Sequence, residues 1–338
     1  YNKVASLNLS GLTNLEELKI PFQQMASLDV SQNTKLTSLW VSSNSLTSLD
    51  LSNNPALTQV LVDGNDLTTL NVSQNPELLT VKAYDNQLTQ IDVNNSPELV
   101  SLWLGGLPSD LSGASETNSF TAIDVSNNLK LNELIIAGSN LSTIDVTKNK
   151  DLNLLNVNSN NLTEINLSEN DSLKVLAVGI NPITSLNLTD QSKLTELYAY
   201  ETNLTNLDVS QNPELTLLEI SGNENLSTLN IKNGNNQLLT NVTIVNNPNL
   251  TCVTVDNVAF ASTNFTNVDA QITFNINCDD LTATIPIPDT NFEQVLIDAG
   301  FDTNGLTGTI LQNDAEKITL LDVTKSATAI DKFRNFWL

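Results

Sequence analysis

The chain has 338 residues, a net charge of −24, 40% hydrophobic residues and only 5% aromatic residues. So negative a surface disfavours nucleic acid and anionic membranes as partners, and no apolar run approaches the roughly 20 residues of a membrane-spanning helix. With so few aromatic residues, the core must be built from Leu, Ile and Val.

An internal repeat organises residues 4–250. Apolar residues recur every 21 residues in two interleaved series, interrupted by one insertion. Each half-repeat has an alternating apolar pattern, which is typical of a strand, followed by Asn, which is typical of a bend. The A series comprises Leu18, Leu39, Val60, Val81, Leu102, Leu134, Leu155, Leu176, Leu197, Leu218 and Val242. The B series comprises Leu7, Leu28, Leu49, Leu70, Ile91, Ile123, Ile144, Ile165, Leu186, Leu207 and Leu229.

A single repeat is too small to fold alone. About six buried aliphatic side chains contribute on the order of 9–18 kcal/mol, whereas ordering the backbone of one repeat costs on the order of 20–40 kcal/mol. Stacked repeats share burial and hydrogen bonds, so a solenoid of similar coils is predicted. The recurrent asparagines, such as Asn44, Asn65 and Asn54, are predicted to bond backbone groups of their own and adjacent coils.

The stretch "LTSLWVSSNSLTSLDLSNNPAL" resembles the 21-residue, internalin-like leucine-rich repeat in its nested two-half form, common in secreted surface proteins of Bacteroidetes-type bacteria. The resemblance covers roughly residues 4–250, in about eleven coils. It implies a mainly β, curved solenoid with a parallel sheet on the concave side, short parallel strands on the convex side, and few or no helices within the repeats. It also implies adhesion or ligand capture at a cell surface.

The repeat stops at residues 251–280, which resemble the carboxy-terminal cap of the same family with its cysteine pair. Phe260, Phe265 and Phe274 supply the bulk needed to cover the last coil. Cys252 and Cys278, the only cysteines, are predicted to form a disulfide. Two buried free thiols remain an alternative, whereas zinc is disfavoured without His or a third Cys.

Residues 281–338 resemble the start of a second leucine-rich-repeat module with a helical amino-terminal cap. Asp289 is predicted to cap a helix over Phe292–Ala299 that ends at Gly300. "LLDV" at 320–323 restarts the strand motif, but the tail containing Phe333, Phe336 and Trp337 departs from it. Because both chain ends lie inside repeats, we interpret the chain as a fragment whose targeting and anchoring segments lie outside it.

One insertion, "GGLPSDLSGASETNS", adds 11 residues between Leu102 and Ile123. Its Gly, Ser and Asp content predicts a loop. Long loops on solenoids are often functional, but a neutral insertion is equally compatible with the composition.

The sequence contains few residues or motifs that are typical of a catalytic site. The chain has no His and no phosphate-binding glycine motif, so neither an enzyme nor a cofactor is predicted. A column of Asp and Asn follows the B series, and it is interpreted as a solvent-facing ladder bonded to neighbouring Ser and Thr. Cation binding is the alternative, although calcium needs converging ligands. The column comprises Asn8, Asp29, Asp50, Asn71, Asp92, Asp124, Asp145, Asn166, Asn187, Asp208 and Asn230.

Aromatic residues point to a binding surface. Every Tyr and Trp apart from Tyr1 and Trp337 occupies an outward position one or three residues after the A series. Exposed aromatic residues are typical anchors, so we predict that the concave face binds a protein or glycan at a cell surface. Sheet-stabilising aromatic pairs, and with them a passive spacer in a larger surface protein, are the alternative. The predicted patch comprises Trp40, Leu61, Lys82, Tyr84 and Trp103, and a smaller second site comprises Tyr198 and Tyr200.

Overall fold

The structure, a computed structural model, describes residues 4–106, 118–278, 284–303, 305–311, 314–315 and 318. One twelve-stranded, all-parallel sheet runs along the molecule. Its strands, in spatial order, are β1 (Glu17–Lys19), β2 (Ser38–Trp40), β3 (Gln59–Leu61), β4 (Thr80–Lys82), β5 (Ser101–Trp103), β6 (Glu133–Ile135), β7 (Leu154–Asn156), β8 (Val175–Ala177), β9 (Glu196–Tyr198), β11 (Leu217–Glu219), β13 (Asn241–Ile244) and β15 (Asn267–Val268).

Each of the first eleven strands is centred on or near its A-series residue, and neighbouring A-series residues pair directly, as Leu39 does with Val60. The predicted mainly β solenoid with a continuous parallel sheet is therefore confirmed. We call the outer surface of this sheet, which the family resemblance implies to be concave, the sheet face. Strand β15 was not predicted; it lies within residues 251–280, the region predicted to be a cap, and it adds the last strand of the sheet.

The predicted strands on the other side of the coils form only near the carboxy-terminal end. Four strands pair there in parallel: β10 (Asn206–Asp208), β12 (Thr228–Asn230), β14 (Cys252–Thr254) and β16 (Thr273–Asn275). In the earlier described coils the B-series triplets turn without a ladder. A side-chain-to-backbone turn, described below, follows each of these triplets, and the same turn is present at Asp208 and Asn230, where the ladder does form. We call this surface the opposite face.

The coil interior is one continuous apolar cluster that reaches from Leu9 to Phe265. Its composition is mostly Leu, Ile and Val, as predicted, but Met25 and Phe120 are also fully buried. Both stand where neighbouring coils place a leucine, such as Leu46 or Leu67. The narrow interior therefore accepts Met or Phe in place of Leu at this position.

Buried asparagines link successive coils, as predicted. Asn65 donates from Nδ2 to the carbonyls of Val41 and Val62, and its Oδ1 accepts from the backbone N–H of Leu46. Asn54, in the other half-repeat, donates from Nδ2 to Val30 and Asn33, but its buried Oδ1 has no partner. The two series of buried asparagines, one in each half-repeat, therefore form two hydrogen-bonded ladders that differ in one respect. The side-chain oxygen of Asn65 accepts a hydrogen bond, whereas that of Asn54 does not.

The cap closes the last coil with a disulfide and three aromatic rings. Cys252 and Cys278 are bonded at 2.03 Å, which confirms the predicted pair. Helix α1 (Val258–Asn264) begins at Asn257, whose Oδ1 accepts from the N–H of Phe260. Phe265 packs edge-on against both Phe260 and Phe274, with ring centroids 5.9 Å apart in each pair.

A separate small core follows the cap. Strands β17 (Thr284–Pro286) and β18 (Thr309–Leu311) pair antiparallel, and helix α2 (Thr290–Asp298) packs with them around Ile287, Leu296 and Ile310. Asp289 accepts from the N–H of Phe292 and Gly300 has a positive φ, so the predicted helix ends are confirmed to within two residues. The predicted restart at 320–323, the tail with Phe333, Phe336 and Trp337, and most of the insertion lie outside the described residues.

Within the α1 and α2 segments and the other described residues, no helix has the length and apolarity required to cross a membrane. The described coils up to Leu250 contain no α-helix, and their one helical turn is a 3₁₀ turn at Asn236–Leu238.

Candidate functional site

The predicted patch is assembled by strands β2 to β5. Their register places Trp40, Leu61, Lys82 and Trp103 side by side across four consecutive coils. Tyr84 lies two residues beyond Lys82 on the same coil. Because parallel strands lie about 4.8 Å apart, these side chains form one continuous strip of the sheet face. The structure therefore brings all five predicted residues together.

Trp103 is held by interactions within the chain. The Lys82 Nζ lies 3.3 Å from the centroid of the Trp103 ring, a cation–π contact. The indole Nε1 donates to Glu133 Oε2 at 2.9 Å, and Ser101 Oγ donates to the same oxygen at 2.7 Å. One ring face and the only polar atom of Trp103 are thus already occupied.

Trp40 lies more open. It is 37% exposed, and among the described residues it has neither a cation over its ring nor a hydrogen bond to its indole. Lys19, its neighbour on β1, instead forms an ion pair with Glu17 at 2.9 Å. Of the two tryptophans in the patch, Trp40 is therefore the one available to a ligand.

Tyr84 is tied to an acidic neighbour. Partial burial, together with the charge of Asp63 and a hydrogen bond to it, raises the pKa of Tyr84 to about 12. Asp63 also accepts from Ser42 Oγ at 2.7 Å. Ser42, Asp63 and Tyr84 therefore form a polar row across three coils, next to the strip that contains the tryptophans.

Phe22, at the bend that follows β1, is a further exposed apolar residue at this end of the coils, and the sequence analysis did not single it out. It is 73% exposed and has a φ of 59°, a left-handed conformation that is unfavourable for a bulky residue. The equivalent position in the next three coils is Ser43, Gly64 and Asp85. That contrast, an aromatic residue at a position that is small or polar in the next three coils, was the available signal.

Tyr198 and Tyr200 do not form an exposed second site. Each is 7% exposed, and the two pack with Ala177 in a small cluster on the sheet face. The Tyr198 hydroxyl donates to Glu196 at 2.9 Å, and burial followed by this bond raises the pKa of Tyr198 to about 12. The Tyr200 ring fills the space that a side chain at Gly179 would need. Small neighbours thus let these tyrosines lie against the sheet.

The middle of the sheet face is covered. Ile135 and Asn156 are outward positions, yet both are fully buried. Asn156 Nδ2 donates to the carbonyl of Gly106 at 2.7 Å, so the chain crosses the sheet face as it enters the insertion. Outward positions are exposed or partly exposed on either side of this middle part: Trp40 lies towards the amino-terminal end, and Glu219 and Thr243 lie towards the carboxy-terminal end.

The Asp and Asn column of the opposite face has a structural role. Each member accepts a hydrogen bond from the backbone N–H two residues later. The donor is Ser or Thr in nine of the eleven cases, as the ladder interpretation predicts, and it is Asn94 or Lys232 in the other two. The bonds from the backbone and hydroxyl of Ser31 lower the pKa of Asp29, and those from Ser52 do the same for Asp50. The described residues contain no group of three or more acidic or cysteine side chains suited to a metal ion.

Comparisons with known proteins place the fold. No family model and no curated protein matches the chain. Among solved structures, the functional domain of InlJ from Listeria monocytogenes is 26% identical with a TM-score of 0.63, over 86% of this chain and 63% of that domain. This chain thus spans less than two thirds of the InlJ domain.

Two further structures are more distant. The LRR protein LIC12759 of Leptospira interrogans is 18% identical with a TM-score of 0.58, over 79% of this chain and 81% of its own. The LRR ectodomain of GASSHO1/SCHENGEN3 from Arabidopsis thaliana, solved in complex with CASPARIAN STRIP INTEGRITY FACTOR 2, is 22% identical with a TM-score of 0.59, over 72% and 31%. Together with the coil-by-coil geometry, these similarities identify the fold of this chain as a leucine-rich-repeat solenoid.

Proposed function

We propose that this chain is a non-enzymatic binding or adhesion module of a secreted or cell-surface bacterial protein, and that its sheet face holds a protein or glycan ligand. The observation that carries this proposal is the concentration of exposed apolar side chains at one end of that face. Phe22 and Trp40 are 73% and 37% exposed there, beside Leu61. Folding alone gives no reason to expose them, whereas aromatic anchors are typical of binding surfaces.

Other properties agree with this assignment. The chain contains no histidine, which removes the commonest general base. The Cys252–Cys278 disulfide suits an oxidising environment such as the cell exterior. The same fold holds a ligand in the GASSHO1/SCHENGEN3 ectodomain, which was solved in complex with CASPARIAN STRIP INTEGRITY FACTOR 2.

The test is site-specific photo-crosslinking on intact cells. A benzophenone amino acid replaces Gln59, an exposed residue of β3 next to the patch, and the matched control carries it at Thr69, an exposed residue of the opposite face. We expect crosslinks to defined surface proteins from position 59 that disappear in a Trp40→Ala background and are absent from position 69. A glycan array probed with the same chain tests the glycan class. If neither position 59 nor the array yields a ligand that depends on Trp40, the chain is a passive spacer.

A further inference from the structure

Two neighbourhoods on the sheet face carry nearly the same sequence but are arranged differently. Strands β2 and β5 both read Ser-Leu-Trp, and each follows a strand that ends in lysine. The register pairs Lys19 with Trp40 and Lys82 with Trp103. Each tryptophan therefore has a lysine in the same relative position on the preceding coil.

The position of one glutamate separates the two neighbourhoods. At β5 the acid, Glu133, stands on the following coil, where it accepts from Trp103 Nε1 and leaves Lys82 to lie over the ring. At β2 the acid, Glu17, stands on the same strand as the lysine and draws Lys19 into an ion pair. The residue that corresponds to Glu133 on the following coil is Gln59, which is neutral. Trp40 is thus left without the cation that its counterpart has.

The charge around Trp40 favours a positive group. The two lysines of this part of the sheet face, Lys19 and Lys82, already interact within the chain. Lys19 pairs with Glu17, and Lys82 lies over the Trp103 ring. The chain as a whole carries a net charge of −24. A cation that approaches the open ring of Trp40 meets attraction from both the ring and this field, whereas a neutral sugar gains only the apolar contact. The remaining acids of this region are Asp63, Asp85 and Glu133.

We infer that Trp40 is a docking point for a lysine or arginine side chain of a basic polypeptide partner, which lies over its ring as Lys82 lies over that of Trp103. The inference rests on the proposed function and names the chemistry of its partner. At Trp103 the cation comes from Lys82 of the same chain. At Trp40 the cation comes from the partner. Apolar residues of the partner meet Leu61, the neighbour of Trp40 on β3, and Phe22, at the bend that follows β1.

The experiment observes the tryptophans individually. The protein is labelled with ¹⁵N at the indole nitrogen, and its three Nε1–H signals are assigned with Trp40→Phe and Trp103→Phe variants. The probes are the peptides acetyl-Gly-Arg-Gly-Arg-Gly-amide and acetyl-Gly-Gln-Gly-Gln-Gly-amide at low ionic strength. We expect the arginine peptide to shift the Trp40 signal saturably, with about five-fold higher affinity than the glutamine peptide, while the Trp103 signal stays in place. Raising the salt concentration weakens this binding.

Two variants test the mechanism. Glu17→Gln frees Lys19 to cover Trp40 in cis, so it weakens binding of the arginine peptide at least about two-fold more than Asp85→Asn, which removes the same charge without freeing a lysine. Lys82→Met uncovers Trp103, so the Trp103 signal now responds to the arginine peptide as well.

The inference is overturned if the arginine peptide leaves Trp40 unmoved, if the glutamine peptide binds equally well, or if a neutral oligosaccharide such as chitohexaose shifts Trp40 in its place. Failure here combined with a Trp40-dependent protein crosslink at position 59 rejects the cation site and retains the proposed function. A Trp40 response to the arginine peptide without any Trp40-dependent crosslink retains the cation site and rejects the proposed function.

Discussion

The Oδ1 atom of Asn65 accepts a hydrogen bond from the backbone N–H of Leu46, 19 residues earlier, at 3.0 Å. The same amide donates through Nδ2 to two carbonyls, so one side chain satisfies three backbone groups of two coils. In the other half-repeat, Asn54 also bonds two carbonyls, but its buried Oδ1 accepts nothing. An unpartnered buried polar atom carries a desolvation cost, so the two ladders are not energetically equivalent.

This difference predicts the stability of two alanine variants. Asn65→Ala leaves the buried N–H of Leu46 unsatisfied and should lower the free energy of unfolding by roughly 2–4 kcal/mol. Asn54→Ala removes two hydrogen bonds, but it also removes a buried oxygen that has no partner. It should therefore lower the free energy of unfolding by about 1 kcal/mol less than Asn65→Ala does. Urea unfolding followed by circular dichroism measures both. Equal losses for the two variants would contradict this account of the ladders.

Ile180 is strained in its coil. It has a φ of 51° although its side chain is branched at Cβ and 37% exposed. Gly64 and Gly222 occupy equivalent positions in other coils with φ values of 66° and 70°. Ile180→Gly should therefore raise the free energy of unfolding by about 1 kcal/mol, because relief of strain exceeds the entropy cost of glycine.

Thr184→Gly is the matched control for Ile180→Gly, since Thr184 is exposed and does not have a positive φ. It should lose about 0.5–1 kcal/mol, the ordinary effect of adding a glycine. Should Ile180→Gly be destabilising by a similar amount, the strain at Ile180 is absorbed elsewhere in the coil.

The disulfide links the two ends of the cap region, Cys252 and Cys278, across a sequence separation of 26 residues. Replacing Cys252 and Cys278 together by Ser should lower the free energy of unfolding by roughly 3–4 kcal/mol, mainly through greater freedom of the unfolded chain. Thermal unfolding with and without reductant measures the effect, and the double variant should not respond to reductant. Thiol titration of the unfolded, unreduced protein should find no free thiol, and two free thiols would refute the pairing.

Two tyrosines should lose their protons at a higher pH than an ordinary tyrosine does. The pKa values of Tyr84 and Tyr198 are raised from 10.0 to about 12, in each case first by burial and then by a neighbouring carboxylate. Since the folded-state pKa lies above the unfolded one, the associated stability is present below pH 10 and is lost as pH rises from about 10 to about 12. Absorbance at 295 nm should show two tyrosines that ionise near pH 12, and Tyr84→Phe and Tyr198→Phe should each remove one of them.

The Asp63→Asn variant measures how much the charge of Asp63 contributes to the raised pKa of Tyr84. Removing the Asp63 charge should lower the pKa of Tyr84, whereas Asp66→Asn, at an exposed residue that bears no hydrogen bond to Tyr84, should leave it in place. An unchanged pKa in Asp63→Asn means that burial alone holds the proton on Tyr84.

The sequence by itself determined the coil architecture. A period of 21 residues, with apolar residues at constant offsets, predicts which side chains face inward, and Leu39, Val41 and Leu46 do so. The buried asparagines, the helix after Asp289 and the cysteine pair were predicted for the same reason. Each depends on a local pattern or on a repeat that the neighbouring coil copies, so no distant contact is needed to infer it.

Only the tertiary structure decided which outward residues remain accessible. Trp40 and Trp103 occupy identical Ser-Leu-Trp strands, yet Glu133 on the next coil helps to hold one, and Glu17 on the preceding coil diverts the lysine from the other. Tyr200 lies flat because Gly179 leaves room for its ring. Outward direction follows from strand periodicity, but exposure depends on charges and side-chain volumes one coil away, and those interactions do not repeat.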